Sequence, residues 1–265
     1  MDTFQAVIIA IIEGLTEFLP ISSTAHMKFI HPLLGVADTP FVNMYEVVIQ
    51  LAAILAVVVL YHKKFFDFKR VEFYTKLLIA VIPALIGGFF LKKYIETALG
   101  NLTFIAWIMV AGGIILLFID RVFTTPAIDS EERVSNKTAF IIGCGQVLSI
   151  IFPGLSRSAA TIITGMSQKL TRSAAAEFSF FLAVPTMLAA SAKSFWDTYK
   201  ENPAVIAKDN LTILLIGSVV AFIVALLAIK FFISFLKKYG FRIWGIYRII
   251  IGLTMLLLIW KGIVQ

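Results

Sequence analysis

The chain has 265 residues, of which 60% are hydrophobic and 15% charged, and its mean hydropathy is +0.94. A soluble domain is roughly 45–50% apolar with about 25% charged residues, and a globule of this size cannot hide the excess. These values exclude a soluble enzyme, a disordered chain and an ordinary nucleic-acid-binding protein, and the net charge of +7 fits basic loops facing anionic lipid.

The first apolar run, Phe4 to Leu19, follows only Asp2 and lacks a basic segment, so it is not read as a cleaved signal peptide. It ends in PISSTAH at 20–26. Six longer runs can each cross a bilayer, which takes about 20 residues. They extend from Phe41 to Tyr61, Phe73 to Leu91, Leu102 to Ile119, Ala174 to Phe195, Leu211 to Phe232 and Ile243 to Trp260. Between the third and fourth lies a second short run, Phe140 to Phe152, followed by PGLSRSAAT at 153–161. Both short runs read as re-entrant broken-helix hairpins, which are tolerated at membrane depth when buried in protein or lining a cavity.

The two halves repeat. Glu13 and Gln146 each lie seven residues before a proline, and Ser23 and Ser156 each lie three after it, a shift of 133. Glu46 and Glu177 follow at similar distances. The expected fold is an all-α polytopic membrane protein forming one domain over 1–265. Its pseudo-repeats are 1–119 and 136–265, with a linker at 120–135. Each half holds one re-entrant hairpin and three transmembrane helices, and an odd number of spans inverts the second copy. Interrupted segments at matching positions point to a midplane site.

Loop charge sets the expected orientation. Fourteen Lys and Arg fall on one set of loops, around Lys63–Lys76, Arg121–Lys137, Lys169–Arg172 and Lys230–Arg242. Seven fall on the other (Lys28, Lys92, Lys93, Lys193, Lys200, Lys208, Lys261). The richer side should be cytoplasmic. That places both termini and the loop from Lys28 to Pro40 outside.

Ionisable groups inside apolar runs are functional candidates by default. Glu13 and Glu17 are four apart, on one helix face, so a cation or a proton must relieve their repulsion. They can hold a divalent cation, and oxygen ligands suit Mg2+ or Ca2+. PISSTAH adds Ser23, Thr24 and His26, a hydroxyl-and-imidazole set suited to nucleophilic or general-base chemistry, while Ser22 reads as an N-cap. Arg157 among Ser156 and Thr161 at a helix start suits a phosphate oxyanion. An arginine with a metal is a common phosphoryl-transfer arrangement. His31 and His62 read as solvated, Arg248 as reaching to the interface, and Cys144 as inert packing.

EGLTEFLPISSTAH at 13–26, FVNMYEVVIQLAAILAVV at 41–58, FPGLSRSAATI at 152–162 and AAEFSFFLAVP at 175–185 resemble the undecaprenyl-diphosphate phosphatase (UppP, BacA) family. The resemblance spans essentially the whole chain. It implies an enzyme of the bacterial inner membrane that hydrolyses undecaprenyl diphosphate to the monophosphate and inorganic phosphate. That activity recycles the lipid carrier for peptidoglycan synthesis, serves cell wall biogenesis and cell shape, and gives bacitracin resistance. The resemblance also implies an interdigitated inverted repeat. It assigns catalysis to Glu13, Glu17, Ser23 and His26, and substrate binding to Ser156, Arg157, Thr24, Thr161 and Glu46. The partners it implies are the lipid substrate and membrane lipid, without nucleic acid; a homodimer stays open, and the active site should face the periplasm. Ala25 and Ala159 stand where the family usually has glycine; if both lie in helix the change is harmless. The competing reading is a polyprenyl-phosphate flippase or secondary transporter using the same inverted-repeat site. The Lys-x6-Arg-Pro motif of acid-phosphatase-like lipid phosphatases is excluded, because no Arg-Pro occurs.

Overall fold

A computed structural model describes residues 1–206 and 208–264. Among them the chain is helical, with one isolated bridge between Ile128 and Leu170. The helices are α1 (Thr3–Thr16), α2 (Ser23–Leu34), α3 (Pro40–Leu60), α4 (His62–Phe65), α5 (Val71–Phe90), α6 (Lys92–Leu99) and α7 (Leu102–Val122). After the linker come α8 (Asn136–Ile151), α9 (Arg157–Ser167), α10 (Arg172–Glu201), α11 (Lys208–Tyr239) and α12 (Arg242–Trp260). Six of them, α3, α5, α7, α10, α11 and α12, are long and apolar enough to span a bilayer. The chain is a polytopic, all-α membrane protein. The side chain of Lys237, one of the loop cations counted above, lies outside the described residues.

Local sequence explains the helix ends. Asp2 and Gln5 form a reciprocal capping box at the start of α1. Thr39 caps α3 with Pro40 at the first helical position, and Ser135 and Thr171 cap α8 and α10. Gly35, with φ +66°, ends α2 and bonds back to His31 and Pro32. With 14 and 16 residues, α1 and α8 are about 21 and 24 Å long, short of the roughly 30 Å apolar core.

Small residues let the backbones touch, as membrane helices without a strong hydrophobic driving force require. A Cβ on Gly113 of α7 would sit 2.8 Å from the Gly245 carbonyl of α12. Gly14 of α1 abuts the Ala221 carbonyl of α11, and Gly143 of α8 abuts that of Ala80 on α5. Thus α1 packs on α11, and α8 packs on α5. Phe18, at the end of α1, is buried edge-on against Phe180 of α10, with centroids 5.0 Å apart.

The linker side is tied by charge. Asp120 accepts from Arg172 Nε at 2.6 Å and from the Phe241 amide at 2.8 Å, joining α7, α10 and α12. Glu131 accepts from Lys64 at 2.7 Å and Arg70 at 3.3 Å. Burial alone raises the Glu131 carboxyl, but those two cations outweigh it and hold it below the usual carboxylate range.

Three sequence expectations are corrected here. Cys144 is exposed rather than packed. His31 is buried at 6% exposure, its Nε2 3.2 Å from Glu46 Oε1 of α3. Arg248 is fully buried and does not reach an interface, because backbone carbonyls on three sides satisfy its guanidinium.

Candidate active site

The two broken hairpins meet. Each turns at a serine with left-handed backbone, Ser22 (φ +68°) and Ser156 (φ +76°), and each serine hydroxyl caps the following helix by accepting the amide three residues on, at 3.3 Å. A non-glycine residue there is strained and persists only where its surroundings impose it. Local structure therefore pairs Ser22 with Ser156, and Ser23 with Arg157, one residue off the register read from the prolines. Ala25 and Ala159 both fall in the first turn of a helix, so their extra methyls meet no backbone penalty.

Arg248 ties the two turns together. It donates to the carbonyls of Pro20 (3.0 Å), Gly154 (2.8 Å) and Leu155 (2.7 Å), and to Ile108 and Met109 of α7 at 3.4 and 3.3 Å. Its side chain crosses α7 at Gly112, where a Cβ would collide with the guanidinium. Ser158 adds a direct tie, donating to the Leu19 carbonyl at 2.8 Å.

On this frame the polar side chains converge. Glu17 caps the end of α1; its Oε1 accepts from Arg157 Nη2 at 2.9 Å and its Oε2 from Ser23 Oγ at 2.6 Å. Arg157 Nη1 donates to the Ser179 carbonyl at 3.1 Å, and its buried Nε has no partner. Thr161 lies one turn further along α9, its hydroxyl 2.6 Å from Ser179 Oγ. Glu13 is fully buried beside Glu17 and Ser23, and neither of its oxygens has a hydrogen-bond partner. Two carboxylates thus face one guanidinium. A buried charge left over in this way needs a cation or a proton.

The other predicted residues sit nearby without joining that cluster. The Nδ1 of His26 lies 2.8 Å from the Ser22 carbonyl and its Nε2 2.9 Å from Tyr247 Oη; it makes no hydrogen bond to Ser23 or Glu17. Ser156 Oγ lies 2.9 Å from Ser158 Oγ. Thr24 is half-buried, and no side-chain hydrogen bond of it is found among the described residues. Glu46 pairs with Lys28 at 3.1 Å. Its other oxygen faces His31 out of line for a hydrogen bond, so that oxygen and the His31 Nε2 are both unpartnered. Sequence reasoning missed Ser158, Ser179, Tyr247 and the role of Arg248. Only Arg248 carried a legible signal, as an arginine inside an apolar run.

Two interrupted hairpins thus close a buried cluster of carboxylates, hydroxyls and one guanidinium inside a polytopic membrane protein. The chain belongs to the family described as bacitracin resistance protein BacA, which matches residues 6–254. Its relatives include the undecaprenyl-diphosphatase of Porphyromonas gingivalis W83, 47% identical over 99% of both chains. The protein of the same name from Flavobacterium johnsoniae is 51% identical over 97% of this chain and 96% of its own. That of Bdellovibrio bacteriovorus is 42% identical over 99% and 98%.

Proposed function

We propose that this protein hydrolyses undecaprenyl diphosphate to undecaprenyl phosphate and inorganic phosphate in the bacterial inner membrane, recycling the carrier for peptidoglycan synthesis and conferring bacitracin resistance. The observation that carries the reading is Arg157, fixed between Glu17 and the Ser179 carbonyl, with Ser23 on the opposite oxygen of Glu17. A guanidinium preorganised against a hydroxyl and its acceptor serves phosphoryl transfer, where positioning and charge stabilisation supply most of the catalysis.

In this mechanism Arg157 releases part of its hold on Glu17 and binds the terminal phosphate through its fork. Ser23 Oγ attacks the terminal phosphorus and its proton passes to Glu17, the carboxylate it already touches. The bond from phosphorus to the bridging oxygen breaks, and undecaprenyl phosphate leaves with the electron pair. Water then attacks the phosphoserine phosphorus and the bond to the Ser23 oxygen breaks; Glu17 returns its proton to that oxygen, and the proton of the water passes to His26 and leaves with the phosphate. Ser156, Thr24 and Thr161 line the approach, and Glu46 with Lys28 borders α2. Direct attack by water in place of Ser23 uses the same groups.

Glu13 and Glu17 would hold the divalent cation, Mg2+ or Ca2+, because the orphaned Glu13 carboxyl supplies two free hard-oxygen donors beside a second carboxylate. When bound, such an ion neutralises charge on phosphate oxygens. Among the described residues no three acidic, His or Cys side chains cluster, so phosphate or water must complete its shell.

The matching contacts of α1 with α11 and α8 with α5 support an inverted repeat of 1–119 and 136–265. The loop-charge bias supports a site opening to the periplasm. Phosphate release from undecaprenyl diphosphate by the purified protein in detergent tests the reading. Lipid movement across vesicles without phosphate release would favour the flippase or transporter instead.

A further inference from the structure

His26 and Tyr247 form a chain whose direction the geometry fixes. The Ser22 carbonyl can only accept, so the Nδ1 it meets at 2.8 Å carries a proton. The neutral ring then has a single lone pair, on Nε2, and Tyr247 Oη lies 2.9 Å from it. The two rings are parallel within 8°, their centroids 5.6 Å apart. Tyr247 precedes Arg248, whose five carbonyl bonds hold this turn of α12 against both hairpin turns. Any proton that reaches or leaves Nε2 in this arrangement therefore passes through the tyrosine hydroxyl. The acceptor of the Ser23 proton is Glu17, not His26, which leaves the imidazole free for a separate proton transfer.

We infer that Tyr247 is a proton relay and positioning residue for His26 in the proposed phosphatase reaction. During water attack, the hydroxyl gives its proton to Nε2 as its oxygen takes one from the water. As inorganic phosphate leaves, the Tyr247 hydroxyl gives its proton to a phosphate oxygen and takes one back from Nε2, so both groups are neutral before and after. Charged groups on the surrounding elements are Lys28 on α2, Arg242 and Arg248 on α12, and Glu13 on α1 with Glu17 at its end. The α7 segment from Leu102 to Ile119 presents none.

This inference rests on the phosphatase reading, and the test separates the two. Tyr247→Phe keeps the ring and its stacking but removes the relay. Its kcat should fall about 10²-fold, the usual scale of one general acid–base contribution, with KM nearly unchanged. The His26→Gln, Tyr247→Phe double variant should be no slower than His26→Gln alone, because both changes break one path. Independent multiplicative losses, or a normal kcat in Tyr247→Phe, would overturn the relay while leaving the phosphatase reading intact. A second arm needs no turnover. Histidine 15N spectra of the wild type, with His26 assigned by its loss in His26→Gln, should show Nδ1 protonated and Nε2 as a hydrogen-bonded acceptor. The Nε2 signal should move in Tyr247→Phe. A wild-type ring protonated on Nε2 alone would contradict the chain. Absence of phosphate release by the wild type would end the phosphatase reading, and the relay in that reaction with it.

Discussion

Arg157 Nη2 and Glu17 Oε1 stand 2.9 Å apart although 140 residues separate them in the chain. The pair joins the first broken hairpin to the second across the middle of the molecule, and Glu17 holds Ser23 with its remaining oxygen. Removing either partner leaves the other charge buried without compensation. It also removes a group placed to stabilise phosphoryl-transfer charge, which typically costs about 10²–10³ in rate. Arg157→Ala and Glu17→Gln should each lose at least that much activity, measured as phosphate release at saturating lipid. Ser23→Ala should lose as much if the serine is the nucleophile. A loss of only a fewfold would leave attack to water.

Glu13 gives a different expectation, because its carboxyl is buried and has no partner. Glu13→Gln replaces a buried carboxyl whose oxygens have no hydrogen-bond partner. The variant should be as thermally stable as the wild type or more so, yet should lose about 10²-fold in activity and its response to added divalent cation. Unchanged cation dependence in Glu13→Gln would rule out Glu13 as a cation ligand.

Arg248→Lys keeps the charge but not the fork. Lysine has three donors, and the arginine serves five carbonyls on three segments. Each buried carbonyl left unpaired costs of order 1–3 kcal/mol. The variant should melt several degrees lower in detergent and lose at least tenfold in kcat. Wild-type values for both would show that the turns hold their shape without it.

These residues also mark how far the chain could be read in advance. The six spans were legible because apolar runs of about 20 residues have few other uses. The hairpin motifs were legible because hydroxyls and charges between apolar runs have no cheap structural purpose. Their convergence rests on long-range packing, through pairs such as Gly14 with Ala221 and Gly143 with Ala80, which no local pattern announces. The register of the turns was misread by one residue because prolines mark where a helix breaks, not which residue caps the next. Tyr247 is one of many aromatics in the spans, and nothing in the local sequence sets it apart. Ser179 acts in part through its backbone carbonyl, which side-chain chemistry cannot reveal.

The linker side should respond to acid. Glu131 is held below its ordinary value of 4.5, chiefly by Lys64 and Arg70 against the opposing effect of burial. A lowered folded value means that its contribution is complete above the ordinary value and fades as pH falls through the lowered one. Melting curves of wild type and Glu131→Gln should therefore differ near neutral pH and converge under acid. A constant difference across the range would show that the ionised carboxylate is not what stabilises the linker.

Orientation can be read by labelling. With the exposed Cys144 first changed to Ser, a cysteine at the 51% exposed Leu33 should react with an impermeant reagent in intact cells. Labelling only after lysis would reverse the assignment and place the hairpin mouth in the cytoplasm.

In the proposed reaction the Glu17, Ser23 and Arg157 cluster, with His26 beside it, cleaves a polyprenyl diphosphate. The most direct measurement is inorganic phosphate released from undecaprenyl diphosphate by purified wild type, Glu17→Ala and His26→Ala, each checked for folding. The wild type should release phosphate steadily, and both variants should lose at least about 10²-fold. Near-normal release by both would contradict it and put the transporter reading ahead.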